Sequence, residues 1–197
     1  MSQSKQSRKV LIMSRLMLAS TWIVALSSIP SARDYQQQLD DGVAAKDIAT
    51  LFSTLLILVT ITSILAWFAV VAWMRQRYDQ HEANGTGSMR LSRGWITWSW
   101  LLPIVSFWYP KKMIDDLLAA STSGVDSIPR TTTEEPINTR LWWSTWVTYT
   151  IMTNLTTIQL VFLPTDTVPF QPSAEIAAAC ILTASYTVWE RIVRQIG

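Results

Sequence analysis

Residues 48–74 read IATLFSTLLILVTITSILAWFAVVAWM, 27 consecutive positions without a charge between Asp47 and Arg75. As one helix this run is about 40 Å long, more than the roughly 30 Å hydrocarbon core of a bilayer, so it spans a membrane with some tilt. Residues 141–165, LWWSTWVTYTIMTNLTTIQLVFLPT, give a second uncharged run of 25, interrupted only by Pro164 near its far end. Two weaker candidates flank these. Leu16 to Ile29 follows Lys5, Arg8, Lys9 and Arg15 and is closed by Pro30. It reaches spanning length, about 11–30, only if Arg15 snorkels to the headgroups. The rival reading of that segment is a cleaved signal peptide, with a basic start, an apolar centre and the small residues Ser27, Ser28, Ser31 and Ala32. Residues 173–192 make the last candidate, with Glu175, Glu190 and Arg191 close to its ends.

The composition agrees. Of 197 residues 49% are apolar and 15% charged, well below the quarter usual in soluble domains. The formal charge of +2 is too balanced for nucleic acid to be the partner.

A fifth apolar stretch, GWITWSWLLPIVSFWYP at 94–110, has 17 residues, four Trp and a central Pro103, and is marginal as a span. Counting basic residues decides its place. If it does not cross, 14 Lys and Arg lie on the cytoplasmic side and only Arg33 and Lys46 outside; if it crosses, the split is 8 against 8. The positive-inside rule therefore favours four spans, both termini in the cytoplasm, and a segment that dips into the inner leaflet. Residues 111–121, KKMIDDLLAAS, then place Met113, Ile114, Leu117, Leu118 and Ser121 on one helical arc and Lys111, Lys112, Asp115 and Asp116 opposite. This is an interfacial amphipathic helix, and packing on the cytoplasmic ends of the spans is an equal reading that can hold together with it. Residues 122–138 and 79–88 read as polar linkers.

The expected fold is thus an all-α polytopic membrane protein: a single integral membrane domain over 1–197, with four transmembrane helices, a Pro-broken Trp-rich inner-leaflet segment and an amphipathic interfacial helix. Ten of the eleven Trp fall toward the inner leaflet in this topology, Trp22 being the exception. They either fill space around irregular backbone or build a headgroup or partner site. Pro103 and Pro110 break helical pairing, so carbonyls near residues 99 and 106 need donors that lipid lacks. Indole N–H groups are the nearest. This defines a candidate contact set for a partner or lipid: Trp100, Pro103, Trp108, Pro110, Lys111, Lys112, Arg140, Trp142 and Trp143. Trp142 and Trp143 are expected to close over the dipping stretch, with Trp108 and Trp143 both acting as buried packing.

The run GWITWSWLLPIVSFWYPKKMIDDL followed by RLWW resembles an uncharacterised, mainly actinobacterial membrane family, the domain of unknown function numbered forty-three twenty-eight. That family carries Trp-x-x-Pro-x-x-Asn-x-x-x-Pro after its second hydrophobic segment, then a short helix and a Trp-Trp pair opening the next span. The matching positions are Trp100, Pro103, Phe107, Trp108, Pro110, Trp142 and Trp143, with Ser106 where Asn is usual. The resemblance covers roughly residues 75–146. It implies a membrane protein and no activity.

Chemistry-bearing residues are few. His81, expected to be solvated, is the only histidine and Cys180 the only cysteine. A His/Cys zinc site, a thiol pair or a Ser/His/Asp triad cannot be assembled from them. Cys180 shares a small-residue strip with Ala177, Thr183, Ala184 and Thr187 that reads as a helix-packing face. The hydroxyls of the third span go all round the helix and are expected to bond between helices. No cofactor or metal is expected. The leading reading is a non-enzymatic accessory or scaffold protein of the cell membrane, in contact with the lipid bilayer and with another membrane protein or itself, and not with nucleic acid. The alternative is a small transporter or lipid-handling protein with a re-entrant Trp segment, whose cavity would be lined by Thr97, Ser99, Ser106 and third-span polar groups. A membrane enzyme using Asp115 and Asp116 is the third.

Overall fold

The computed structural model describes residues 5–44, 47–48, 50–83, 90–102, 105–123, 137–162 and 171–197. Among them every regular element is helical: α1 (Lys5–Asp40), α2 (Leu51–Ala83), α3 (Trp95–Leu101), a 3-10 turn (Val105–Phe107), α4 (Tyr109–Ser123), α5 (Thr139–Phe162) and α6 (Pro172–Ile196). Three helices, α1, α2 and α6, are long and apolar enough to cross a membrane. With 24 residues α5 is close to α6 in length but is not among the three.

The first helix does not stop at Pro30 but continues to Asp40. Pro30 lies on the exposed face, so the bond missing from the ladder is an outer one. The helix ends where Gly42, at φ +83°, lets the chain turn back. Gly42 N donates to Leu39 O and Val43 N to Gln38 O, the paired bonds of a Schellman cap that a Cβ would strain. The small residues that suggested a cleavage site are packed within the bundle: Ser28 and Ser31 are fully buried. Ser27 and Ser28 donate to Val24 O and Ala25 O, while Ser31 Oγ accepts from Phe52 N in the first turn of α2. The start of α2 is also fixed by a reciprocal cap, in which Ser53 N donates to Thr50 Oγ1 and Thr50 N to Ser53 Oγ.

The second helix likewise runs past the hydrophobic boundary, through Arg75 to Ala83, where a polar linker was expected from residue 79. Charge there does not break the helix, because it finds partners: Asp79 pairs with Arg93 at 2.8 Å. Tyr78 is buried, and His81 is half-buried in the last turn rather than freely solvated.

The long helices alternate in direction. α1 packs on both α2 and α6, and α6 also packs on α5, so α1 and α6 are central and α2 and α5 flank them. Ser20 Oγ and Thr62 Oγ1 lie 2.7 Å apart across α1 and α2. Trp22 Nε1 donates to Thr183 Oγ1 across α1 and α6. Arg15 does not snorkel alone; it donates to Tyr186 Oη and pairs with Glu190 at 2.7 Å, and Glu190 also holds Arg194. Among the described hydroxyls of α5, those of Thr145, Thr148, Thr150 and Thr153 donate to carbonyls of their own helix. Of the small-residue strip of α6, Cys180, Ala177, Ala184 and Thr187 are exposed, and only Thr183 meets α1. The buried face is Ala178, Ala179, Leu182, Ser185, Trp189, Ile192 and Val193.

Large apolar side chains are exposed along the bundle, among them Ile23 and Leu26 of α1, Ile57, Ile61, Leu65 and Phe68 of α2, and Ile151 and Leu155 of α5. A contiguous apolar exterior of this kind is costly in water and natural in lipid. The largest buried cluster among the described residues lies at one end, where Val10 and Leu11, Trp73 and Met74, Trp142 and Trp143, and Ile192, Val193 and Ile196 meet Ile96 of α3 and Met113, Ile114 and Leu117 of α4. The N-terminal end of α1, the C-terminal ends of α2 and α6 and the N-terminal end of α5 are thereby gathered under one cap.

Candidate functional site

The cap is built from the Trp-rich segment. At seven residues α3 is about 10 Å long and cannot cross a bilayer. It sits beside the last charged turns of α2, with Arg75 Nη2 donating to Thr97 Oγ1 at 2.6 Å. Leu102 N still bonds to Trp98 O, and Ser106 N to Leu102 O. Pro103 lies outside the described residues. Pro110, in the first turn of α4, is buried, where its missing N–H removes no helical bond.

α4 uses its apolar face on protein. Ile114 is fully buried, and Met113, Leu117 and Ala120 nearly so. Each large side chain contributes about 2 kcal/mol relative to exposure in water. The structure shows this amphipathic helix packed on the ends of the long helices. Its polar face is knitted by charge: Lys111 to Asp115 at 2.6 Å, and Asp116 to Arg90 of the preceding loop at 2.6 Å. The Asp116 carboxylate holds the Arg90 guanidinium pKa above its ordinary value. Trp95 stacks on Tyr109 at 4.8 Å, and Lys112 lies 5.4 Å from the Tyr109 ring.

The broken backbone obtains an indole donor. Trp143 Nε1 donates to Phe107 O at 3.0 Å, tying the 3-10 turn to the first turn of α5. Trp142, one position earlier, stacks on Trp189 at 5.3 Å and 21°, and Trp189 meets Trp73 edge-on at 5.8 Å. Aromatic contact thus runs without a gap from α2 through α6 to α5.

The nine expected contact residues divide into separate places. Trp108, Lys111, Arg140 and Trp143 come together, with Phe107, in an open groove of about 480 Å³ at the edge of the cap. Trp108 is 56% exposed there, so it is a surface aromatic and not the buried packing residue expected; the indole of the pair that is enclosed is Trp143, at 9%. Lys112 points elsewhere, over Tyr109. Trp100 and Trp142 line a second space, a cleft of about 290 Å³ between the long helices.

Walls of that cleft come from α1 (Ser14, Met17, Leu18), α2 (Ser63, Ala66, Trp67, Val70), α5 (Trp142, Trp146) and α6 (Leu182, Ser185, Tyr186, Trp189), with Trp100 of α3. It differs from the cavity that the lipid-handling reading required, because Thr97, Ser99 and Ser106 do not line it. Trp67, Trp146 and Trp189 were not in the candidate set. The accumulation of Trp toward one end of the spans was their sequence signal. Near-uniform hydrophobicity round α2 and α5 hid which face each occupies.

Residues 35–190 match the family described as Domain of unknown function (DUF4328), and the chain belongs to that family. No curated protein and no solved structure matches it.

Proposed function

We propose that the chain is a non-enzymatic integral membrane protein of the cell membrane, with four spans and both termini in the cytoplasm. It acts as an accessory or scaffold component that presents its inner-leaflet cap to a membrane-protein partner. The groove carries this reading. Exposed Trp108 and Phe107, just before α4, lie beside Lys111 of α4 and Arg140 of α5 at one edge of the cap. Aromatic and Arg side chains are enriched where proteins bind, and α4 and α5 hold this set in place from both sides. Support for four spans comes from the 14 to 2 distribution of basic residues and from the alternating direction of the long helices, which returns each inner end to the cap. The reading as non-enzymatic rests on composition, one histidine and one cysteine in the whole chain.

A photo-crosslinking amino acid at Ser144, an exposed residue in the groove wall, tests this in intact cells. A discrete protein adduct is expected from position 144 and not from Leu155, which is exposed farther along the same helix. Arg140→Glu should reduce it severalfold by placing an unfavourable charge at the rim. Identical adducts from positions 144 and 155, unaffected by Arg140→Glu, would contradict the proposal.

The lipid-handling reading is favoured by one observation, the Trp-lined cleft between the long helices.

A further inference from the structure

Among the described residues α1 and α6 pack closely on each other, and α2 and α5 flank that pair without packing closely on one another. The Trp-lined cleft is the slot this leaves, bounded at the cap by Trp100 of α3, edge-on to Trp146 at 6.3 Å. The slot is continuous with the exterior of the bundle. Trp67 in its wall touches Phe68, with 4.7 Å between ring centroids, and Phe68 is 59% exposed. Trp67 also lies eight residues from Arg75 on α2, about 12 Å along the helix axis, so the slot sits within the apolar part of the helices and beside their lipid-suited surface.

The surface offered to an occupant is mostly carbon. Ser14 Oγ accepts from Trp189 Nε1, Ser185 Oγ donates to Trp142 O, and Tyr186 Oη accepts from Arg15. Trp67 and Trp100 keep their Nε1 atoms buried, so the parts of these rings that face the slot are carbon. Ser63 adds one hydroxyl, and no charged side chain lines the slot. Water would find few partners there, and an empty slot would forfeit dispersion contacts along its aromatic walls.

We infer that the slot holds one acyl chain of a membrane phospholipid, entering sideways from the bilayer with the headgroup left outside. A hydrocarbon chain asks for no hydrogen bond, which is what these walls supply. A free fatty acid fits less well, because its carboxylate needs a cation and Arg15, bound to Tyr186 of the lining, already pairs with Glu190 at 2.7 Å. At about 290 Å³ the slot is at the lower limit of small-molecule pockets, with room for one chain and not for a two-chain lipid.

The inference deepens the lipid-handling reading and rests on it. Full-length protein in mild detergent is given one equivalent of a phosphatidylglycerol that carries a diazirine midway along one acyl chain, then irradiated, and the adducts are mapped by residue. Leu18 and Trp67 of the slot should carry severalfold more adduct than Leu16 and Phe68, their exposed neighbours at nearly the same depth on the same two helices. Ser63→Trp, which fills the slot from α2, should cut the adducts on Leu18 severalfold and leave those on Leu16 unchanged. Adducts spread equally over Leu16, Leu18, Trp67 and Phe68 in the parent protein would overturn the inference, without needing a variant that folds. So would a Ser63→Trp protein whose Leu18 adducts are undiminished. Native mass spectrometry of the same samples separates the two failures. A lipid retained without adducts in the slot leaves the lipid-handling reading standing and removes only this site; retention of detergent alone removes both.

Discussion

Leu117→Asp should unfold the cap, at a cost of about 4 kcal/mol or more. The side chain is 2% exposed and packs with Met113 and Ile114 in the cluster that joins α4 to the ends of the long helices. The substitution removes the hydrophobic contact and leaves a charge without a partner in apolar surroundings. Ala119→Asp, two positions later on the exposed side of the same helix, should change stability by no more than about 0.5 kcal/mol. Thermal unfolding in one detergent reads both. Equal tolerance of the two variants would mean that α4 lies free on a membrane surface.

Trp143→Ala should cost about 3–5 kcal/mol, the range for truncating an enclosed aromatic side chain, because it also strips the Phe107 carbonyl of its donor. Trp108→Ala should cost under about 1 kcal/mol, since more than half of that side chain is exposed. Trp143→Phe separates the two contributions: it keeps most of the packing and loses the hydrogen bond, so about 1–3 kcal/mol should remain. A Trp108→Ala variant as damaged as Trp143→Ala would restore the sequence-based expectation that both are buried.

That contrast shows where the sequence stopped being informative. The 27-residue uncharged run at 48–74, and the separation of Met113, Ile114 and Leu117 from Lys111, Asp115 and Asp116, were legible because each is a local pattern with a single physical cause. Local breaks misled in both directions. Pro30 did not end α1, since its ring faces outward where a lost bond is tolerated, and Arg75 did not end α2, since the charges beyond it pair with Arg93 or pack on the cap. Tertiary facts were hidden. Ser28 and Ser31 are buried because α1 is a central helix with neighbours on both sides, which composition alone does not show. Trp67 and Trp100 are 33 positions apart, and only the fold-back of α3 brings them to one cleft. The demand for an indole donor at the broken backbone was readable from Pro110 and the Trp-Trp pair, and Trp143 supplies it; that Trp108 faces outward was not readable, because no periodicity runs through a 3-10 turn.

The central claim is that the Trp-rich segment folds back onto the inner ends of the helices, so that the chain enters and leaves it on one side of the membrane. Single cysteines at Ser92, just before α3, and at Ala119, in α4, test this in a Cys180→Ser background, all three positions being exposed. A membrane-impermeant maleimide is applied to right-side-out and to inside-out vesicles. Labelling of both positions in inside-out vesicles only is the predicted result. Labelling of one position from each side would mean that residues 94–110 cross the bilayer and would contradict the account.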